Sequence, residues 1–491
     1  MGFSFLDTSI VVVYLAGVTA AGILIAGKQR STVDYFLGGR TLPWWSVGFS
    51  IVASETSTLT FISVPGLSYR GDFHFLQLAF GYFVGRLLVG RYFIPAYYRG
   101  QLETAYDFIG RRFGIPLRRL SSSVFVVTRV LASGVRLFAT AIPIHLITGL
   151  DYNVCILLVG SCTLIYTFLG GLKAVVAMDV VQLFIYLGGA VAAMALIIHR
   201  LPGGWDQVFQ TATSGPVNKL EIFNTGWGSG FSDFLASPYT LVGSILGGTF
   251  LTMASHGTDQ LLVQRLLGCK SARDSQRALL LDASIIVLQF AFFLLLGSCL
   301  FAYYGGRTVE QLGLRTSDEI FPKFIVEGLP HGLSGLVIAG VLASAMGTLS
   351  SSISALASST FLDLFRSGPR GRSAGAASEL SWSRFFTLLW GVVLIGGAML
   401  FTDSRNAVVE LGLRIASITY GGLLGIFFLG LGWRGVDRTD AFVGFVTGLT
   451  AMLLVVSTTS VDFTWHTLIG CGATVAAALG SHAVRALRSR M

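Results

Sequence analysis

From end to end the chain is divided into apolar blocks of roughly 20 residues, and no other feature limits its fold so severely. A helix rises 1.5 Å per residue, so ~20 residues cross the ~30 Å hydrocarbon core of a bilayer. Inside lipid every backbone N–H and C=O must find its partner within the protein, which leaves helices and closed barrels. Long continuous apolar runs, rather than alternating strands of ~10 residues, select helices. The blocks lie near 8–27, 43–67, 73–98, 119–149, 152–170, 174–199, 238–265, 277–304, 331–364, 381–402, 405–432, 439–457 and 462–485, about thirteen spans. Only 12% of residues are charged, about half the ~25% of a soluble domain. The expectation is an all-α polytopic membrane protein in which residues 1–491 form a single transmembrane domain.

Orientation follows from Lys and Arg, which collect on the cytoplasmic side. Connections after odd-numbered spans are basic, as in Arg99, Arg111, Arg112, Arg118 and Arg119, or Arg265, Lys270, Arg273 and Arg277. Those after even-numbered spans are poorer in positive charge, with Arg70, Lys219 and Arg405 among theirs. An external N-terminus and a cytoplasmic C-terminus satisfy nearly every loop. The net charge of +9 therefore reads as topology, not as a nucleic-acid surface. Met1–Asp7 lacks a basic n-region and a small-residue cleavage site, so the first block is expected to be a retained span. The five cysteines have no metal or redox spacing and read as packing residues. Segment 367–380, rich in Gly, Ser, Ala and Arg, reads as a flexible cytoplasmic linker. No His-Glu-x-x-His, paired-Asp or Gly-x-Ser-x-Gly constellation with a His partner is present, which argues against an enzyme.

Two spans are irregular. The second carries Ser50 to Thr60, a polar run with Glu55 at its centre, and a charge at that depth costs ~2.5–3.5 kcal/mol. Span seven carries Gly243, Gly247 and Gly248, then Thr249 and Thr252. Breaks at matching places in two halves point to a midplane site in an inverted-repeat transporter, although glycine clusters also serve helix packing.

Four stretches now become informative together: Asp34 to Arg40; Gly170 to Val175 with Asp179 and Gln182; Gly257 to Gln260 with Gln264 and Arg265; and Ala343 to Ser352. In this order and at these depths the chain resembles the sodium:solute symporter family, which includes sodium-coupled proline, sialic acid and sugar symporters. The resemblance implies a LeuT-type inverted repeat of 5+5 helices. Repeat one would occupy roughly 43–199 and repeat two 238–432, with 8–27 and 439–485 peripheral. It also implies sodium-coupled import of a small organic solute by alternating access, from a multi-pass position in a cell membrane such as a bacterial inner membrane. A proton-coupled carrier with Glu55 titrating, and a solute sensor or channel, are the alternatives.

By the same resemblance, Ala53, Thr56 and Ser344 offer sodium backbone carbonyls, and Thr348 offers its hydroxyl. Hard cations favour such oxygens. Family members usually carry a further hydroxyl where this chain has Gly347. Asp179, Ser350 and Ser351 match a second sodium site of some members, although Asp179 also suits a structural ion pair and the serines suit close packing. Ser57 and Thr60 match pocket positions. Glu55 implies a neighbouring positive charge: sodium, a substrate ammonium or an Arg. Arg129 and Arg136, seven residues apart, lie on one helix face ~10.5 Å apart. Sialic acid members hold the substrate carboxylate with an Arg on this span, and which of the two corresponds stays open. Arg129 could instead snorkel, and Arg136 could pair with Glu55 or Asp179. Leu59 and Thr60 replace the Glu-Gln pair of sugar transporters, which favours a carboxylate or amino acid over a hexose. Glu410 and Arg414 read as a helix ion pair. A monomer suffices for this scheme.

Overall fold

The computed structural model describes residues 4–227, 230–366, 375–400 and 408–488. Among them the regular structure is helical, and the sole β-type contact is an isolated bridge between Leu42 and Cys269. The long helices are α1 (Phe5–Ile25), α2 (Trp44–Glu55), α3 (Thr58–Arg70), α4 (Leu76–Leu88), α5 (Ile115–Thr148), α6 (Tyr152–Arg200) and α7 (Leu241–Gly257). They continue with α8 (Gln260–Leu267), α9 (Ala272–Tyr303), α10 (Leu333–Ser359), α11 (Ala376–Met399), α12 (Val408–Gly432), α13 (Arg438–Thr458) and α14 (Phe463–Arg488). Eight described helices are long and apolar enough to cross a bilayer, and the bent pair α2–α3 makes nine. Helix α10 is the central post: 94% of its apolar centre is buried, against 17% for α1. The five cysteines are free, and all but Cys162 are buried, in keeping with packing roles.

Helix α6 has 49 residues, ~74 Å if straight, more than twice the hydrocarbon thickness. Its backbone turns at Gly171 (φ 57°, ψ −158°). A Cβ there would stand 2.6 Å from the Tyr35 carbonyl oxygen. Gly171→Ala is therefore expected to cost at least ~1–3 kcal/mol of backbone strain and to lower the thermal midpoint. Gly188→Ala, further along the same helix and with nothing within 4 Å of the added methyl, should leave the midpoint unchanged or raise it.

The polar run of span two is a true break: α2 ends at Glu55, Thr56 leaves helical geometry (φ −75°, ψ 74°), and the two halves bend by 57°. Span seven breaks elsewhere than its glycines suggested. Gly243, Gly247 and Gly248 lie inside the continuous α7, where they permit close approach of neighbours. A Cβ on Gly248 would meet the Leu78 carbonyl of α4 at 2.6 Å, and one on Gly247 the Thr464 carbonyl of α14 at 2.0 Å. The real break is at Thr258–Asp259, where the Asp259 side chain accepts from Leu261 N–H at 2.9 Å and starts α8. Of the linker expected at 367–380, residues 376–380 belong to α11, and 367–374 lie outside the described residues. The expected Glu410–Arg414 pair likewise lies outside the described side chains.

Candidate functional site

The two breaks face one cavity of about 110 Å³. Helix α2 ends in it at Glu55, and Ser57 and Thr60 of α3 line the same wall. Arg129 and Arg136 of α5 line it too, so all five residues expected to meet the solute come together. Ser57 is the N-cap of α3 and its side chain makes no capping bond. Unused N–H groups and the positive end of a helix dipole therefore border the cavity. Phe75, Tyr82, Ile286 and Phe290 supply apolar surface.

The two arginines have separate fates. Arg129 does not snorkel: it is buried, ion-paired with Asp259 at the second break, and donates to Tyr420 Oη at 3.0 Å. Tyr420 in turn donates to Asp259 at 2.5 Å. Arg136 makes no ion pair among the described residues, and its Nε is buried without a partner. The pairing of Arg136 with Glu55 or Asp179 is thus absent. Among the described residues it is the cationic side chain of the cavity that no carboxylate holds.

Glu55 has the positive neighbour its burial demands, but on a helix that sequence reasoning passed over. Arg86 of α4 is fully buried, pairs with Glu55, and places Nε 2.7 Å from Asp282 Oδ2 of α9. His256 Nε2 of α7 accepts from Arg86 Nε at 3.2 Å and lies 3.2 Å from Glu55 Oε1. Glu55, His256 and Asp282 are close enough to share a metal ion, but the guanidinium already stands among them. Arg86 and Asp282 each sit within an apolar span, so the rule that an intramembrane charge marks a site, applied to every span, finds them. Asp259, inside span seven, falls under the same rule; Tyr420 carried no comparable signal of its own.

Beside this cavity, α10 meets α2. Thr348 Oγ1 donates to the Ser344 carbonyl at 3.1 Å and approaches the Ser54 carbonyl at 3.5 Å. Ser344 Oγ lies 3.2 Å from Thr58 Oγ1. Thr56 Oγ1 accepts from Gln289 Nε2 at 2.5 Å. Thr348 also lines a small pocket shared with Ser57 and Arg136, so the α2–α10 contact adjoins the cavity. Further along α10, Ser350 and Ser351 both donate to the Gly347 carbonyl, at 3.0 and 2.5 Å. Asp179 Oδ2 accepts from Ser50 at 2.5 Å and from Arg265 at 3.0 Å, and Arg265 also reaches Ser351. Asp179 is therefore one half of a buried ion pair.

The sequence profile of the Sodium:solute symporter family matches residues 35–448. The sodium/sialic acid symporter SiaT of Proteus mirabilis is 26% identical over 95% of this chain and 93% of its own length. The human sodium/iodide cotransporter is 30% identical over 88% of this chain and 66% of its own length. A solved structure of a Na+-coupled sialic acid symporter, substrate-bound and outward-open, superposes with a TM-score of 0.88 at 25% identity and covers 98% of each chain. The more distant transporter Mhp1, at 14% identity and a TM-score of 0.55, shares the fold. A matching profile over most of the chain, apolar helices of spanning length and a LeuT-like arrangement of two broken helices around one cavity lead to one conclusion: the chain is a multi-pass membrane protein of the sodium:solute symporter family, a sodium-coupled transporter.

Proposed function

We propose that the protein imports a small organic solute bearing a carboxylate, a simple organic acid or an amino acid, together with sodium. One observation carries this choice: Arg136 presents to the cavity a guanidinium that no carboxylate among the described residues neutralises. A planar fork of this kind suits a carboxylate bound through two oxygens, and the uncapped start of α3 adds favourable dipole. Arg129 is occupied by Asp259 and shapes the floor instead. Glu55 faces the cavity from its pair with Arg86 and is placed to accept from a solute hydroxyl or ammonium, with Ser57 and Thr60 beside it.

Sodium would be held where α2 meets α10, by carbonyls of Ala53, Thr56 and Ser344 and the hydroxyl of Thr348. Asp179, Ser350 and Ser351 are the second set of oxygens. Thirteen spans, with the N-terminus outside and the C-terminus in the cytoplasm, accommodate the helices when α6 counts as two spans and each broken pair as one. Residues 1–491 then form one domain, with inverted repeats over about 43–199 and 238–432 and peripheral spans at 8–27 and 439–485. Sodium and solute would enter from outside, and one repeat bundle would move against the other to release them inside. A tenfold sodium gradient supplies ~1.4 kcal/mol per ion, enough for roughly tenfold accumulation.

The test is thermal stabilisation of the purified protein across a solute library, in sodium and in potassium. A carboxylate that stabilises only with sodium is the expected outcome. Stabilisation that ignores sodium and follows pH would replace sodium by proton coupling. Thr348→Ala is expected to raise the sodium half-saturation of uptake at least about tenfold, the effect of losing ~1.4 kcal/mol. Unchanged sodium dependence would remove Thr348 from the site.

A further inference from the structure

A second pocket, of about 390 Å³, shares no lining residue with the central cavity. Its walls are the last turn of α3, the connection between α6 and α7, and the segment that follows α9. The topology proposed above puts all three outside. Thr60 of α3 lines the central cavity and Arg70 ends that helix, so ~15 Å of helix axis separates the two hollows. Tyr69, Pro216, Val217, Phe301 and Val309 give the pocket apolar surface. The rings of Tyr69 and Phe301 meet edge to face at 5.4 Å.

The charges on these walls do not balance. Lys219 is only 7% exposed. Its ammonium donates to the carbonyls of Tyr69 and Gly71, at 2.7 and 3.4 Å, and lies 4.2 Å from the centre of the Phe301 ring. Two carbonyls and a ring occupy its protons without cancelling its charge, and burial pushes the ammonium below the usual lysine range. Asp72 opposes that shift, but its carboxylate is held by His74 Nδ1 at 3.0 Å. Arg70 is exposed, and neither it nor Lys219 makes an ion pair among the described residues. The pocket's carboxylate, Glu310, is exposed and is already engaged by its own backbone N–H and the Thr308 hydroxyl.

Capping of α3 accounts for Lys219, because orphan carbonyls at a helix end attract a cation. It accounts neither for Arg70, a second positive charge on the same walls, nor for a hollow of this size against two aromatic rings. Small-molecule sites measure ~300–1,000 Å³ and are mostly apolar with a few placed polar groups. A guanidinium binds a carboxylate through two oxygens, and an unneutralised cation in a poorly solvated wall strengthens the attraction. Two cations against one carboxylate leave a single positive charge, which matches a monoanion. An inorganic anion would leave the apolar surface bare, whereas a carbon body covers it.

We propose that this pocket binds a monocarboxylate with an aromatic or aliphatic body. The carboxylate lies on Arg70 within the field of Lys219, and the body lies against Tyr69 and Phe301. Such an occupant touches α3 and both connections at once. It fastens the outer end of the half-helix whose inner end forms the central cavity, which makes it an effector and not the cargo. The site stands whether or not Arg136 holds the transported solute.

The experiment is thermal unfolding of the full-length purified Arg136→Ala protein, in which benzoate replaces chloride at constant sodium, with benzamide as the uncharged control. Benzoate is expected to raise the midpoint saturably, and benzamide to leave it in place. Adding Arg70→Gln should raise the half-saturating benzoate concentration at least tenfold, and adding Arg70→Lys should raise it less. No benzoate shift, an equal shift with benzamide, or a shift that Arg70→Gln leaves unchanged would overturn the site. If Arg136→Ala does not fold, isothermal titration of the wild type with benzoate takes its place. Arg70→Gln should then lower the number of benzoates bound by one, and an unchanged number would overturn the site.

Discussion

Arg86→Leu is expected to destabilise the protein by about 3–5 kcal/mol, the cost of stranding buried charge by removing its partner. The guanidinium is fully enclosed, pairs with Glu55, and has Asp282 at 2.7 Å and His256 at 3.2 Å. Its removal leaves two carboxylates facing each other in a low-dielectric wall with no cation between them. The drop should be visible as a lower thermal midpoint in detergent, with or without solute. Arg86→Lys keeps the charge and loses the fork, so it should fall between. Adding Asp282→Asn to Arg86→Leu removes one stranded charge and should restore part of the stability. An Arg86→Leu protein that melts with the wild type would mean that the cluster does not hold the α2, α4, α7 and α9 wall together.

The second large effect concerns Arg136. Truncating one partner of a buried charge pair costs ~2–5 kcal/mol, which is roughly 30- to several-thousand-fold in half-saturation. Arg136→Ala is therefore expected to raise the half-saturating concentration of a carboxylate solute by that factor. The solute-free protein should be no less stable, because among the described residues Arg136 has no ion pair to lose and its Nε is already without a partner. Arg136→Lys should recover part of the affinity but not the two-point geometry. Solute titrations of stability and initial rates of uptake report the two quantities separately. An unchanged half-saturation would take the carboxylate away from Arg136 and favour a neutral or cationic solute held by Glu55.

Much of this site was legible before any coordinates, for identifiable reasons. Membrane helices announce themselves by length, and the polar run at Ser50–Thr60 is costly in lipid unless the chain breaks there. Glu55, Ser57 and Thr60 came from matching positions to family motifs, Arg129 and Arg136 from being arginines inside a span, and the cavity gathers all five. The second break was misplaced because glycine has two uses in a membrane helix. At Gly247 and Gly248 it admits a neighbouring backbone. The actual break depends on a cap at Asp259 that sequence inspection read only as part of a motif. The partners of Glu55 and Arg129 were missed because pairing joins helices far apart along the chain. A list of intramembrane charges yields the members but not who faces whom. Position 347 was half legible: the missing hydroxyl stood out, but only the packing of α6 against α10 places Gln182 opposite it.

The Arg129–Asp259–Tyr420 tie joins α5, the joint between α7 and α8, and α12 at one end of the cavity. Dry, it resists separation strongly, since parting a buried pair exposes each charge to a medium that cannot solvate it. Once wetted, such a pair is worth only ~0–1 kcal/mol. Water entry at this joint and the sliding of these helices must therefore be a single event. The barrier to opening that end is set less by the strength of the tie than by how rarely the joint becomes hydrated.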